Sequence, residues 1–451
     1  MVYSFVKGRS RPARLVRAMF AGSALFGLLA GDALAAKPAS SDLAKDEQSL
    51  AEEARLEPIL RIALARNPAL LEANSRSQAA REASSATSRL PDPELEYELW
   101  AQPLSRPFAF GSAQMHAIGV RQAFPAPGTL GARGEAMSAE AGVLKQTRRA
   151  REQELIARVR VAFAEYCRAD REYRLHLAHV ALAQQALDMT RAVYQGGGGS
   201  QQDVLRAAVE MSRLHNDVVT IDSTRRTARV LLNTLMARPT DAPLGPPAAL
   251  SPSRVQVRAE ELERSLEERP DVVAAMNTTR ARERELDAAR ASGSWPSFAV
   301  GATYMYMPMA MDRHNYGVSV SMSLPWLNAR YGEEEKAAAA RLSADRSALS
   351  NARYTARYEL YESTERLRAA RESLAIIERD LLPQVEQSYD TARAVYRGGQ
   401  GESVMLFDAL RALLDVRVER ERMVANVAAA LADVERAAGR PLTPTPAGER
   451  R

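Results

Sequence analysis

One structural unit is written twice along this chain. Residues 194–207 read YQGGGGSQQDVLRA and residues 396–409 read YRGGQGESVMLFDA, an offset of 202 positions that aligns both tyrosines and both alanines. The same offset carries Asn67-Pro68 onto Arg269-Pro270 and Arg238-Pro239 onto Arg440-Pro441. A slightly shorter offset carries AIGVRQAFP (117–125) onto GVSVSMSLP (317–325). Each copy mixes long helical runs with short alternating ones, so whatever the unit builds must be built twice.

The alternating runs read as β-strands. In Glu94 to Trp100, Leu95, Tyr97 and Leu99 fall on one face and Glu94, Glu96 and Glu98 on the other, the period of two that a strand imposes. Tyr316 to Leu324 opposes Tyr316, Val318, Val320, Met322 and Leu324 to Gly317, Ser319, Ser321 and Ser323. The partners, 116–124 and 298–307, alternate less cleanly but have the length of a bilayer-crossing strand, about 9–11 residues. Strands are therefore expected over 93–101, 114–124, 296–307 and 315–324, forming one hairpin in each repeat.

Beyond the prolines that end each hairpin (Pro125, Pro127 and Pro325), helical periodicity continues to Tyr194 and to Tyr396. About 65 residues of helix reach on the order of 100 Å, three bilayer thicknesses. Val424, Val427, Leu431 and Val434 recur three and four apart, the seam of a coiled-coil contact. Pro383 should kink the second long helix, because it lacks a donor and crowds the preceding turn; the first repeat has Ala181 there, so the two halves need not bend alike. Glycine-rich tip turns are expected at 195–200 and 397–402.

At the N-terminus, Lys7, Arg9, Arg11, Arg14 and Arg17 precede an apolar run, 18–30, and small residues Ala33 and Ala35, the pattern of an export signal over 1–35. Its removal takes five basic groups and Asp32, leaving about one of the five formal positive charges, so the basic balance is no argument for nucleic acid. The expected layout continues with a flexible segment, 36–55, and a first repeat, 56–238. A proline-rich linker (239–257), a second repeat (258–440) and a tail (441–451) follow. No later run approaches the roughly 18 apolar residues of a membrane-spanning helix. A bilayer would have to be crossed as a barrel. The single cysteine, Cys167, rules out an intrachain disulfide or a zinc cluster, and no cysteine at the cleavage site offers a lipid anchor.

Four strands cannot close a barrel, and an open sheet edge cannot persist in hydrocarbon. Two copies would give eight strands, filled by their own side chains; three would give twelve, enough for a watery lumen. A cyclic homotrimer is the smallest conducting solution, with Glu94, Glu96, Glu98, Ser319, Ser321 and Ser323 facing the lumen.

These features together resemble the TolC-type outer membrane efflux family. The likeness rests on the doubled tip turns at Tyr194 and Tyr396, Leu381-Leu382-Pro383-Gln384, Arg269-Pro270-Asp271, and the corners Phe124-Pro125 and Leu324-Pro325. RQAFPAPGTLG (121–131) with Leu90-Pro91-Asp92-Pro93 resembles most closely the subgroup serving heavy-metal pumps of the RND class. The resemblance implies an α+β protomer whose two hairpins join a shared twelve-stranded barrel in the Gram-negative outer membrane, above a periplasmic tunnel of antiparallel helices. It implies a passive exit duct, with a periplasmic adaptor and an inner-membrane pump as partners, no catalytic residue, no cofactor and no resident metal. Metal cations are the first expected cargo, drugs or secreted polypeptides the alternatives. Some relatives carry an N-terminal lipid; this chain departs from them.

In the family, two aspartates three apart narrow the tip. Asp408 matches the second of these, while the first falls on Met405; in the first repeat Asp203 matches the first, while the second falls on Arg206. Asp408, Asp203 and Glu402 are thus gate candidates, since ringed carboxylates concentrate cations; Asp203 and Glu402 also suit helix N-termini on electrostatic grounds alone. Tyr194, Gly196, Gly199, Tyr396, Gly398 and Gly401 are candidates for adaptor docking; no Lys-Ser/Thr follows them as in a phosphate loop. Met305, Met307, Met309 and Met311 alternate like a soft-metal stripe along the third strand, or serve as apolar filler. His176 and His179 could share a metal ion, or lie on a wet helix face. A periplasmic adaptor would need lipoyl-like and barrel segments around a single hairpin, and a coiled-coil scaffold would leave the alternating faces unexplained. An enzyme is not expected, for no nucleophile, base and orienting group assemble.

Overall fold

A computed structural model describes residues 40–105, 107–250, 255, 257–398 and 402–442. The expected export signal and most of the C-terminal tail lie outside these residues. The first repeat contributes α1 (Ser40–Glu52), α2 (Leu56–Arg66), α3 (Pro68–Thr87), β1 (Glu94–Trp100), β2 (Met115–Phe124), α4 (Thr129–Gln195) and α5 (Gln201–Leu235). The second contributes α6 (Ala259–Glu263), α7 (Pro270–Ser294), β3 (Phe298–Tyr306), β4 (His314–Met322), α8 (Arg330–Ile376), α9 (Leu382–Arg397) and α10 (Ser403–Ala438). Among the described residues no helix is long and apolar enough to cross a membrane.

The two hairpins do not stay apart. β2 pairs with β3, giving one antiparallel sheet in the order β1-β2-β3-β4. Residues directly opposite in such a sheet share a face, so the register Glu96↔Gly119↔Thr303↔Gly317 marks a small and polar face. The neighbouring row, Leu95↔Val120↔Ala302↔Val318, marks an apolar one. That apolar face is bare: Leu95 is 72% exposed and Tyr316 86%.

The outgoing helix α4 runs for 67 residues, about 100 Å. Its counterpart spans 330–397, but 377–381 form a π-helical turn immediately before Pro383. The wider turn absorbs the missing donor and the ring's bulk; Ala181 places no such demand, and α4 runs through its position unbroken.

Each repeat is pinned at its equator by the same device. Pro68 and Pro270 open α3 and α7, where a missing N–H is not needed. The residue before each proline then reaches the end of its repeat's return helix. Asn67 Nδ2 donates to the Leu235 carbonyl at 3.0 Å, and Arg269 Nη1 donates to the equivalent Ala437 carbonyl at 3.0 Å. Arg269 is buried, and its charge is met by Asp271 and Glu359.

Packing breaks the symmetry. Leu360, Leu367 and Leu374 of α8 pack with Val424, Val427, Leu431 and Val434 of α10 in an apolar cluster, the seam the sequence spacing anticipates. Truncating one of these leucines to alanine removes contacts worth about 2–5 kcal/mol. The position of α4 equivalent to Leu374 is Glu172, buried and paired with Arg168 of its own helix and Arg422 of α10. The α4–α10 contact is thus partly ionic where α8–α10 is leucine-rich.

The segment expected to be flexible, 36–55, is instead largely helical where described. Leu43 and Leu50 of α1 are buried in the equatorial core, and Ala54 pairs with Pro247 of the linker in a short parallel bridge. Two leucines seven apart on one helix face supply enough apolar surface to dock it. Gly245 of the linker lies so close that a Cβ there would stand 2.4 Å from the Glu52 carbonyl oxygen.

Candidate functional site

The polar face of the sheet is built from small residues with one band of charge. Glu94, Glu96 and Glu98 stand on β1, opposite Arg121, Gly119 and Ala117 of β2. Arg121 lies 3.9 Å from Glu96 and donates to Ser321 Oγ at 3.5 Å, spanning the sheet from β1 to β4. Trp100 Nε1 donates to Glu98 at 2.8 Å. Glycine is required where side chains from the next strand lean over: a Cβ on Gly119 would meet Thr303 Oγ1 at 2.8 Å, and one on Gly301 would meet Ser319 Oγ at 2.6 Å. Glu94, Glu96, Glu98, Ser319 and Ser321 therefore share one face. Ser323 lies just past β4, where its Oγ accepts from the Ser297 amide at 2.8 Å, tying the base of the hairpin.

At the other end of the molecule, α4 turns into α5 and α9 into α10. The sharp reversal falls on Gly197, at φ 78°, whereas Gly196 has φ −78° and Gly398 φ −73°. Among the described tip glycines only Gly197 needs the left-handed region. Gly199 lies close against Val193, where a Cβ would stand 3.3 Å from Cγ1. Gly401 lies outside the described residues. The paired tyrosines differ: Tyr194 is 45% exposed, while Tyr396 is 5% exposed and packs with Phe407 and Leu410 in the tip core. Tyr396 is thus a packing residue in the protomer, and Tyr194 alone of the pair leaves its ring exposed.

The gate candidates separate in the same way. Asp203 closes a capping box with Ser200 at the start of α5 and accepts a hydrogen bond from Ser403 Oγ, at the start of α10. Those bonds, Ser403 first, hold its carboxyl below the usual carboxylate range. Glu402 is the N-cap residue of α10 in extended conformation, exposed and without a side-chain cap bond. Asp408 is exposed and makes no hydrogen bond or ion pair among the described residues, and Met405, one turn before it, is 64% exposed. A second tie between the return helices, Arg411 Nη2 to Glu210 Oε1 at 2.8 Å, was not anticipated. Neither was Ser403, although it interrupts the duplication where Gln201 stands in the first repeat.

Two metal candidates dissolve. Strand β3 ends at Tyr306, so Met305 alone of the stripe is on a strand; Met309 and Met311 sit in the loop beyond it and are fully or nearly fully exposed. Alternation has no facial meaning outside a strand. His176 and His179 are buried rather than on a wet face. His176 Nδ1 bonds the Glu172 carbonyl, and both ring nitrogens of His179 lack a partner among the described residues. Burial, then Arg417 and His176, bring the His179 pKa down to about 4. No group of three metal-ligating side chains occurs among the described residues. Cys167 is buried in α4, its thiol pushed up to about 12 by burial, and it is inert.

Residues 59–238 match the family described as outer membrane efflux protein. No curated protein matches the sequence. Solved structures carry the likeness over the whole fold. The outer-membrane channel OprN is 18% identical, with a TM-score of 0.73 over 92% of this chain and 96% of that one. The outer membrane protein VceC of Vibrio cholerae is 16% identical, with a TM-score of 0.73 over 86% and 97%. CusC, a transmembrane channel, is 16% identical, with a TM-score of 0.72 over 85% and 92%. No single channel stands out, so the heavy-metal subgroup is not distinguished from the others. The first repeat thus resembles the outer membrane efflux proteins, and the fold of the described residues is that of the TolC-like channels, with long helices and two hairpins in one sheet.

Proposed function

We propose that three copies of this chain close one twelve-stranded barrel in the outer membrane and form the exit duct of a tripartite efflux system. The observation that carries this reading is the state of the sheet. One face is apolar and bare, the other is small and polar, and among the described residues β1 and β4 have no partner on their outer edges. An exposed apolar sheet with two open edges is an aggregation hazard in water and untenable in lipid unless the edges meet. Three-fold closure pairs β4 of each protomer with β1 of the next, turns the apolar face to lipid and places Glu94, Glu96, Glu98, Ser319 and Ser321 around a lumen. The single sheet, with one hairpin from each repeat, has no place for the segments of an adaptor, and a pore-free scaffold gives no reason for its two chemically opposite faces.

In this reading the tips, with Tyr194 at the turn and Asp408 as the carboxylate free to face the tunnel, meet a periplasmic adaptor. An inner-membrane pump, of the RND class by the sequence resemblance, supplies the energy. Heavy-metal cations are the proposed cargo, supported by the strand-to-helix corner motif and by the carboxylates of the polar face. Deleting the gene should raise sensitivity to heavy metals. Unchanged metal tolerance with raised antibiotic sensitivity would assign the duct to drug export, and a lost exported polypeptide would assign it to secretion.

A further inference from the structure

Two of the chain's five histidines lie in one row across the sheet, on its apolar face. The register His116↔Tyr306↔His314 runs through the last residue of β3 and the first of β4, at the end farthest from the helices. Tyr97 and Tyr304, one row below on the same face, bond the imidazoles: Tyr97 Oη lies 2.9 Å from His116 Nδ1, and Tyr304 Oη pairs with His314 Nδ1. Whichever atom of each pair carries the proton, Nε2 has no partner among the described residues. Nε2 is thus the ring atom each imidazole leaves for an outside partner.

The surroundings give this row a definite place. From the row of Phe298 and Met322 to that of Tyr306 and His314 the strand rises about 26 Å, close to the apolar band of an outer-membrane barrel, about 25 Å tall. Phe124, Trp295, Phe298 and Trp326, all exposed, mark the other border. Between the borders the apolar face carries no charged side chain. Arg313, exposed and without a carboxylate partner among the described residues, precedes His314 in the loop, its backbone carbonyl bonded to the Met307 amide at 2.9 Å. The two hairpin loops hold one acid, Asp312.

We infer that His116 and His314 on the lipid face, with Arg313 in the loop at its rim, form a binding patch for the phosphate of an outer-leaflet lipid headgroup. The inference rests on the barrel proposed above. An aromatic girdle alone needs only rings. Imidazoles held through Nδ1, with Nε2 unpartnered among the described residues and an arginine next in the chain at headgroup depth, are suited to an anion.

The test uses the full-length protein in nanodiscs of phosphatidylcholine containing either phosphatidic acid or diacylglycerol, with retained lipid read by native mass spectrometry. The variant is His116→Phe/Arg313→Gln/His314→Phe, which keeps the rings. Wild type should retain phosphatidic acid over the variant by roughly fivefold or more, the effect of the one guanidinium lost, with diacylglycerol retained equally and inorganic phosphate failing to compete. Equal retention of phosphatidic acid by both proteins, or its displacement by inorganic phosphate, would overturn the inference while leaving the barrel standing. If wild type does not enter the discs as a trimer, the barrel reading and this patch fall together. Should the triple variant not assemble, Arg313→Gln alone, a loop change, must still lower retention.

Discussion

Ala237 and Gly439, equivalent positions of the two repeats, end the return helices α5 and α10 in the same left-handed turn, with φ 54° and 70°. In both, the next residue's amide reaches back to close the helix: Arg238 to the Asn233 carbonyl at 2.8 Å and Arg440 to the Glu435 carbonyl at 3.2 Å. The duplication has kept the turn and lost the glycine in the first copy.

Ala237→Gly should therefore stabilise the protein. Alanine in the left-handed region costs roughly 1–2 kcal/mol, and glycine's added chain entropy returns about 0.5–1 kcal/mol of that, so a gain of about 0.5–1 kcal/mol per protomer is expected. Gly439→Ala should destabilise by more, since its Cβ would stand 3.1 Å from Arg269 Cγ. Denaturation midpoints of the two variants should move in opposite directions; a lower midpoint for Ala237→Gly contradicts the assignment.

His179 should make stability depend on pH. Its buried imidazole stays neutral down to about 4 in the folded chain, whereas an exposed histidine titrates near 6.5. Between these values the unfolded chain binds a proton that the folded chain refuses. Stability is full above about pH 6.5, falls as the pH drops toward 4, and then levels off, by at most about 3 kcal/mol per protomer. His179→Leu, matching Leu381 of the second repeat, should flatten this slope and raise the midpoint at about pH 5 more than at about pH 7.5. An unchanged slope would remove His179 as the titrating group.

Asp408 and Asp203 should separate by phenotype. Asp408→Ala is expected to lower the cation-to-anion permeability ratio of the reconstituted pore, because its carboxylate is free; an identical ratio would exclude it from the gate. Asp203→Asn should leave selectivity near that of wild type and cost about 0.5–2 kcal/mol through the weakened cap.

Ser403→Ala removes the hydrogen bond that ties the first turn of α10 to Asp203. The tip should then open more readily, seen as a higher open fraction in single-channel records. Records indistinguishable from wild type would mean that the Arg411–Glu210 pair holds the tip by itself.

The strands and rods were legible because their periods are local: the alternation of Glu94 to Trp100 coincides with β1 residue for residue. Burial between distant segments was not. Nothing near His176 and His179 in the chain announces that α4 turns them inward, and nothing near Leu43 and Leu50 announces the linker that completes their pocket. The methionine pattern misled because it outlasted its strand, whose pairing stops at Tyr306 and His314. Asp203 was legible as a helix-start acid, but its partner Ser403 lies 200 residues away.

The mass of the assembly, measured on protein extracted from the outer membrane, tests the central claim most directly. Three protomers in one heat-resistant, membrane-inserting particle is the expected result. A stable monomer that stays in water and ignores lipid vesicles would contradict it, since β1 and β4 would then have no edge to meet.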